Sequence, residues 1–383
     1  MNTVYLDNAS TSFPKPACVA DRMYQFMTNE AVNISRGTYR SAYRLEEALY
    51  DTRVQLASFF DHPRPQDVVF SAGITHSLNL VMKGLLKQGD HVLISSMEHN
   101  AVTRPLTQLS AKGITFDRIP CNTMGELDLT ALPGLIHPQT RAIIMLHASN
   151  VCGTMMPIRE VGALCRRHGL FFILDSAQTA GLIPISMTTD CIDALCFTGH
   201  KALLGPQGIG GCILTPAIAA EIDPLISGGT GSFSHLETIP ELMPDRFEAG
   251  TLNLPGIIGL QAALSYINQI GQTAIFEHEL SLTAALLQAI PDIPNLRLLG
   301  RPDTAGRVGV VSVTPTKADP AMVAARLEEE FGIQTRVGLH CAPGAHKTLG
   351  SYPQGSIRFS FGYQNTPADV TLAVSALTTI LKG

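Results

Sequence analysis

The chain has 383 residues, of which 45% are hydrophobic and 15% charged, a balance that suits a well-buried globular enzyme and excludes a disordered or fibrous chain. That length exceeds one ordinary core and predicts two or three domains. With 27 Lys and Arg against 32 Asp and Glu the net charge is −5, and no basic run occurs, so nucleic acid is not an expected partner.

In chain order, the opening stretch MNTVYLDNASTSFPKP lacks a basic region followed by an apolar run, so no secretory signal is expected and the expected location is cytoplasmic. EEALYDTRVQLASFF has helical spacing, and DVVFSAG reads as a short strand ending in glycine. THSLNLVMKGLL then reads as a helix and DHVLISS as a strand. RAIIMLHASN, LFFILDSAQ and IDALCFTGHK are apolar runs ending in polar clusters, with the helical stretch IREVGALCRRHG between the first two. GIGGCILT adds another strand. After residue 255, NLPGIIGLQAALSYINQIG predicts a long amphipathic helix leading out of the sheet domain, and the remainder mixes strands (RVGVVSVTP, GSIRFSFG) with helices (DPAMVAARLEEEFG, DVTLAVSALTTILK). The expected division is a large α/β domain over 16–255 and a smaller α+β domain over 256–383, joined by the segment 1–15. No segment carries the roughly 18–20 uncharged apolar residues of a membrane span, so no membrane association is expected.

Near-continuous apolar strands separated by helices imply a mostly parallel sheet covered on both faces. Ligands bind such sheets just beyond the carboxyl ends of the strands. That rule selects Gly73–Thr75, Glu98–Asn100, Ser149–Asn150, Asp175–Gln178 and Thr198–Lys201. Eight cysteines occur without a C-x-x-C pair, so no disulfide framework is expected, and those in DALCFTG and GGCILTP read as small core hydrophobes. His340, Cys341 and His346 in GLHCAPGAH have no second ligand cluster at usual spacing, so no metal site is expected.

Lys201 follows an apolar strand in the glycine-containing loop FTGHKALLGPQG. Alone it reads as a solvated charge, although a desolvated amine there would have a lowered pKa. Asp175, ending FFILD, tips that balance, because a buried aspartate is costly without a cationic partner and a pyridinium nitrogen would be one. A lysine for a Schiff base and an aspartate for a ring nitrogen are the two protein groups that define a pyridoxal phosphate site.

With these residues, and with short motifs in order from YLDNASTSFPKP to SIRFSFGYQNT, the sequence resembles the class V, fold type I aminotransferase-like enzymes. Within them it is similar to the cysteine desulfurases of the short-cysteine-loop group. The resemblance implies an α/β fold with a seven-stranded, mostly parallel sheet and a smaller C-terminal α+β domain. It implies that Lys201 holds pyridoxal 5'-phosphate and transfers protons, that Asp175 keeps the ring nitrogen protonated, and that Gln178 bonds the phenolic oxygen. His99 in MEHNA would stack on the ring and could relay protons. Ile74 and Thr75, after the turn at Gly73, would cradle the phosphate with Thr198 and His200. Thr251 in FEAGTLN would reach the neighbouring subunit's phosphate, implying a homodimer. Arg358 would bind the substrate carboxylate, Asn150 would sit near it and the cofactor oxygen, and Arg336 would have a supporting polar role. SGGTGS and GPQGIGG match neither nucleotide-loop pattern and read as flexible or packing loops.

RVGLHCAPG resembles the R-x-G-x-H-C-A pattern of that group, which implies that Cys341 takes sulfur from L-cysteine as a persulfide and leaves alanine. Thiolate character would be required, with His340 available to tune it, His346 a loop residue without chemical role, and the loop itself mobile. RGTYRSAYR and APGAHKTLG differ from the better-known members, so a protein sulfur acceptor is not identified, and a selenocysteine or cysteine lyase acting on L-selenocysteine or L-cysteine stays open. An aminotransferase or epimerase would need the same cofactor without Cys341. A non-enzymatic scaffold predicts loss of Lys201 or Asp175, and both are present.

Overall fold

A computed structural model describes residues 3–34 and 39–382, which leaves residues 36–38 of the RGTYRSAYR segment outside the described residues. After a two-residue strand β1 (Val4–Tyr5), the helices α1 (Ala17–Asn29) and α2 (Arg40–Phe59) precede the main sheet. Its seven strands are β2 (Val68–Ser71), β3 (His91–Ser95), β4 (Thr115–Ile119), β5 (Thr140–Leu146), β6 (Phe171–Asp175), β7 (Ala194–Thr198) and β8 (Gly210–Leu214). They lie in the order β2-β8-β7-β6-β5-β3-β4.

Strands β3 to β7 pair in parallel, and β8 runs antiparallel to both β7 and β2. The reason is connection length. Parallel pairing needs a crossover of a dozen or more residues, usually a helix, and the short loop between β7 and β8 contains no helix. Gly210 also lets β8 pass close to its neighbours: a Cβ there would lie 2.6 Å from the Phe197 carbonyl oxygen and 2.7 Å from Gly73 Cα. The expected seven-stranded, mostly parallel sheet is present.

Both faces are covered. One core joins α2, α5 (Ile158–His168) and α7 (Leu254–Ile270) to the sheet through Leu56, Val161, Leu260 and Leu264. The other carries α3 (Ile74–Leu85), α4 (Asn100–Ser110) and α6 (Pro216–Glu221) through Leu78, Val81, Val102 and Ile218. Strands β5 to β7 are therefore buried on both sides, which is why their sequences are apolar without alternation. The edge strand β4 is largely exposed and reads TFDRI.

The second sheet has the order β12-β13-β10-β9 and is antiparallel, from β9 (Leu296–Leu299), β10 (Val310–Pro315), β12 (Arg336–Gly338) and β13 (Ser356–Ser360). It packs with α8 (Gln272–Ala289), α9 (Pro320–Phe331) and α11 (Pro367–Lys382) around Leu286, Val311, Leu327, Phe359 and Leu377. Ile275 of α8 belongs to the sheet core whereas Leu282 belongs to the smaller one. The change of core thus falls inside α8, and α7 packs on α1 and α2 rather than leading away from the sheet. A last short helix, α10 (Pro343–Thr348), follows Cys341.

The amino-terminal segment ties these parts together. β1 pairs in parallel with β11 (Ile333–Gln334), Ala9 N–H donates to Ser360 Oγ at 2.8 Å, and Ser12 N–H donates to the His200 carbonyl at 3.0 Å.

A buried ion pair fixes α2 to the sheet. Arg53 Nη2 lies 2.6 Å from Glu248 Oε2, Arg53 Nη1 donates to Glu248 Oε1 and to the Val68 carbonyl, and Glu248 Oε1 accepts the Phe70 N–H at 2.6 Å. Removing one partner strands a buried charge. Arg53→Ala is expected to cost about 3–5 kcal/mol, read as a lower urea midpoint by circular dichroism; an unchanged midpoint would contradict this.

Candidate active site

All five stretches selected by the strand-end rule lie at or just past the carboxyl ends of β2, β3, β5, β6 and β7. Lys201 sits three residues after β7 on a half-buried position, and burial of its amine lowers its pKa to about 8. Asp175, the last residue of β6, is buried; burial pushes its pKa up, against the Ala177 N–H that it accepts at 2.9 Å and the nearby Lys201 charge. Each group is disfavoured in its charged form by the same dry surroundings.

His99 caps α4, its Nδ1 accepting the Ala101 N–H at 3.0 Å. In the neutral ring that assigns the proton to Nε2. Burial, followed by the charges of Lys201 and Arg358, holds its pKa at about 4, so it is uncharged at neutral pH. The preceding residue, Glu98, is fully buried and pushed to about 8; it accepts from Ser95 Oγ and the Leu146 N–H, stitching β3 to β5.

The start of α3 has no side-chain cap, which leaves amides of Ile74 and Thr75 in its first turn. Gly73 has φ 148°, and a Cβ there would lie 3.6 Å from Thr198 Oγ1, so the helix start and the end of β7 converge. His200 supports the adjoining loop through its carbonyl, which accepts from Ser12 N–H, Thr11 Oγ1 and Lys15 Nζ. Gln178 is buried and donates to the Ala9 carbonyl at 3.1 Å. Thr251 is exposed and shares a groove with Ser71, Ala72 and His76 of its own chain.

Arg358 lies buried on β13, where Nη2 donates to Asp7 Oδ1 and Ser10 Oγ, each at 2.6 Å, and Nη1 donates to the Asn150 carbonyl at 3.0 Å. Arg336 reaches Ser10 Oγ at 3.2 Å. Asp7 and Ser10 were invisible as site residues in the sequence, because they come from the opposite end of the chain and only β-pairing of the amino-terminal segment delivers them.

Cys341 is exposed and free. It does not lie in a loose loop. The Asn100 N–H donates to the Cys341 carbonyl at 2.7 Å, and Asn150 Nδ2 donates to the His340 carbonyl at 2.8 Å. His340 and Cys341 have φ of 48° and 57°, the left-handed region that non-glycine residues enter at a cost. These hydrogen bonds hold that strained turn. The His340 ring is buried, 2.9 Å from Ser356 Oγ, and burial with the charge of Arg358 drives its pKa down to about 2. It therefore carries no positive charge to stabilise a thiolate. His346 belongs to α10 rather than a loop, is fully buried, and lies 2.7 Å from Ser351 Oγ.

Residues 4–372 match the family described as aminotransferase class-V. A Methanothermobacter thermautotrophicus protein named probable cysteine desulfurase is 31% identical over 96% of this chain and 92% of its own length. A cysteine desulfurase of Escherichia coli O127:H6 is 35% identical over 88% of this chain and 84% of its own. The apo structure of a cysteine desulfurase from Thermococcus onnurineus NA1 superposes with a TM-score of 0.92 at 29% identity, covering 100% of this chain and 95% of that one.

Asn150→Ala would leave the buried His340 carbonyl without its donor, at about 1–3 kcal/mol. Amide exchange at Ala342, whose N–H donates to the Leu339 carbonyl at 2.8 Å, is expected to quicken roughly tenfold or more, with β7 unchanged. Equal exchange in both proteins would show that Asn150 does not hold the turn.

Proposed function

The chain belongs to the aminotransferase class-V family, and from that premise we propose that it is a cysteine desulfurase that takes sulfur from L-cysteine onto Cys341 and releases L-alanine. The observation that carries this reading is the free, exposed thiol of Cys341, whose backbone carbonyl is held at the start of α4, next to His99, at the sheet edge that holds Lys201 and Asp175 and that Arg358 reaches from the second sheet through the Asn150 carbonyl.

Pyridoxal 5'-phosphate fits the residues present. Asp175 is a buried carboxyl in need of a cationic partner, Lys201 is an amine already depressed toward its free base, and an uncapped helix start meets Thr198. Asn150 Oδ1, His200 Nδ1 and Arg358 Nε are buried atoms at this edge without a hydrogen-bond partner among the described residues. Bound there, the group would supply an electron sink for bond cleavage on the substrate amino acid.

The remaining work falls to the chain. Asp175 would face the ring nitrogen and Gln178 the phenolic oxygen, with Ile74, Thr75, Thr198 and His200 around the phosphate and His99 against the ring. Lys201, with a pKa of about 8, can both accept and return a proton near neutral pH. Arg358, preset by Asp7 and Ser10 and flanked by Arg336, would fork the α-carboxylate, with Asn150 beside it. The Cys341 thiolate would bond to the substrate sulfur as the carbon–sulfur bond breaks. The carbon skeleton keeps that electron pair, gains a proton and leaves as alanine. The exposed persulfide is then open to a sulfur acceptor.

We assign the two cores to two domains that change over within α8, strapped by the amino-terminal segment. Thr251 is exposed, as a residue reaching a second copy in a homodimer would be. Among the described residues no helix is long and apolar enough to cross a membrane.

Incubation with L-cysteine tests the reading. The native chain should yield alanine and, with a thiol reductant, sulfide, and Lys201→Ala should lose both together with visible absorbance from added pyridoxal phosphate. Cys341→Ala should lose at least about a hundredfold in turnover; full retention would favour a lyase or another class V reaction. Only the free amine adds to an aldehyde, so uptake of pyridoxal phosphate should quicken with pH and level off above about 8. A rate still climbing toward the ordinary lysine value of 10.5 would contradict the depressed pKa.

A further inference from the structure

The opposite, amino-terminal edge of the main sheet carries a second cluster of chemically able side chains. His91 opens β3, Asp117 lies on the neighbouring strand β4, and His137 precedes β5. His91 Nε2 is 3.5 Å and His137 Nε2 3.8 Å from Asp117 Oδ2, and all three donor atoms lie within 4.8 Å of one another. We propose that these three residues form a binding site for a divalent transition metal of the zinc class.

Two imidazoles and a carboxylate suit zinc and its neighbours better than magnesium or calcium, which favour all-oxygen sites. Zinc bonds of about 2.0–2.1 Å place tetrahedral donors roughly 3.4 Å apart. The closure needed is small, and it falls on Asp117 and His137, whose side chains are about half exposed at 53% and 49%. His91 is buried and already aimed: among the described residues its Nε2 has no hydrogen-bond partner. Its other nitrogen, Nδ1, lies 2.8 Å from Thr140 Oγ1, which also accepts the His137 N–H at 2.7 Å. If the Nδ1 proton goes to Thr140, the lone pair of Nε2 faces Asp117, the tautomer a metal requires.

An ordinary ion pair accounts less well for the geometry. The two rings instead stack, with centroids 4.6 Å apart and planes 34° from parallel, while both Nε2 atoms turn to the same carboxylate. A metal ion between them would give both rings and the carboxylate one common partner. Three protein ligands leave a fourth position for water or an exchangeable ligand.

The test is calorimetric titration of ZnCl2 into the full chain carrying Cys341→Ala, which removes the exposed active-site thiol from competition. One zinc per chain should bind, and the added substitutions Asp117→Asn and His137→Ala, both at exposed positions, should each weaken it at least about tenfold. Zinc should also raise the thermal midpoint only where all three ligands remain, with circular dichroism confirming that each variant is folded. In a parallel titration, CoCl2 should give visible d–d bands that His137→Ala abolishes. No zinc binding by the Cys341→Ala chain, or equal binding with and without Asp117 and His137, would overturn the proposal.

Discussion

Exclusion of water at the carboxyl edge of the main sheet is the constraint on which the rest of the site depends. Covering both sheet faces with helices buries the ends of β6 and β7, and the same burial depresses Lys201 and raises Asp175. Neither residue could hold its altered state on an open surface. A lysine poised near neutrality and a carboxyl in need of a cation are thus consequences of the fold, and the fold in turn follows from apolar strands without alternation.

The thiol is governed by a different device. Two backbone carbonyls, those of His340 and Cys341, are held by Asn150 and by the Asn100 N–H. Asn150 also gives its own carbonyl to Arg358, so the group proposed to bind the carboxylate and the turn that carries the thiol share one anchor. The amino-terminal segment completes the arrangement, with Asp7 and Ser10 fixing Arg358 and Ser12 fixing the lysine loop at His200. Geometry between the main sheet and the second sheet is therefore set by short polar bonds converging from three regions of the chain.

Much of this was legible in the sequence. The apolar runs ending in Asp175 and Thr198 announce buried strands, and the strand-end rule collects Lys201, His99 and Asn150. Other elements hid for physical reasons. β4 is an exposed edge with no apolar run, and α4 carries Pro105 inside, a residue that argues against a helix. The reversal of β8 depends on loop length rather than composition. The inward turn of His340 and the burial of His346 depend on Ser356 and Ser351, partners whose contacts no local pattern reveals. His91, Asp117 and His137 are spread over three elements, so only strand pairing brings them together.

Sulfur is proposed to leave the substrate onto Cys341. Peptide mass spectrometry of the chain loaded with pyridoxal phosphate, after brief exposure to L-cysteine without reductant, reads that directly. A mass gain of one sulfur atom is expected on the peptide containing Cys341, removed by a thiol reductant. Alanine formed while that peptide gains no sulfur would contradict it.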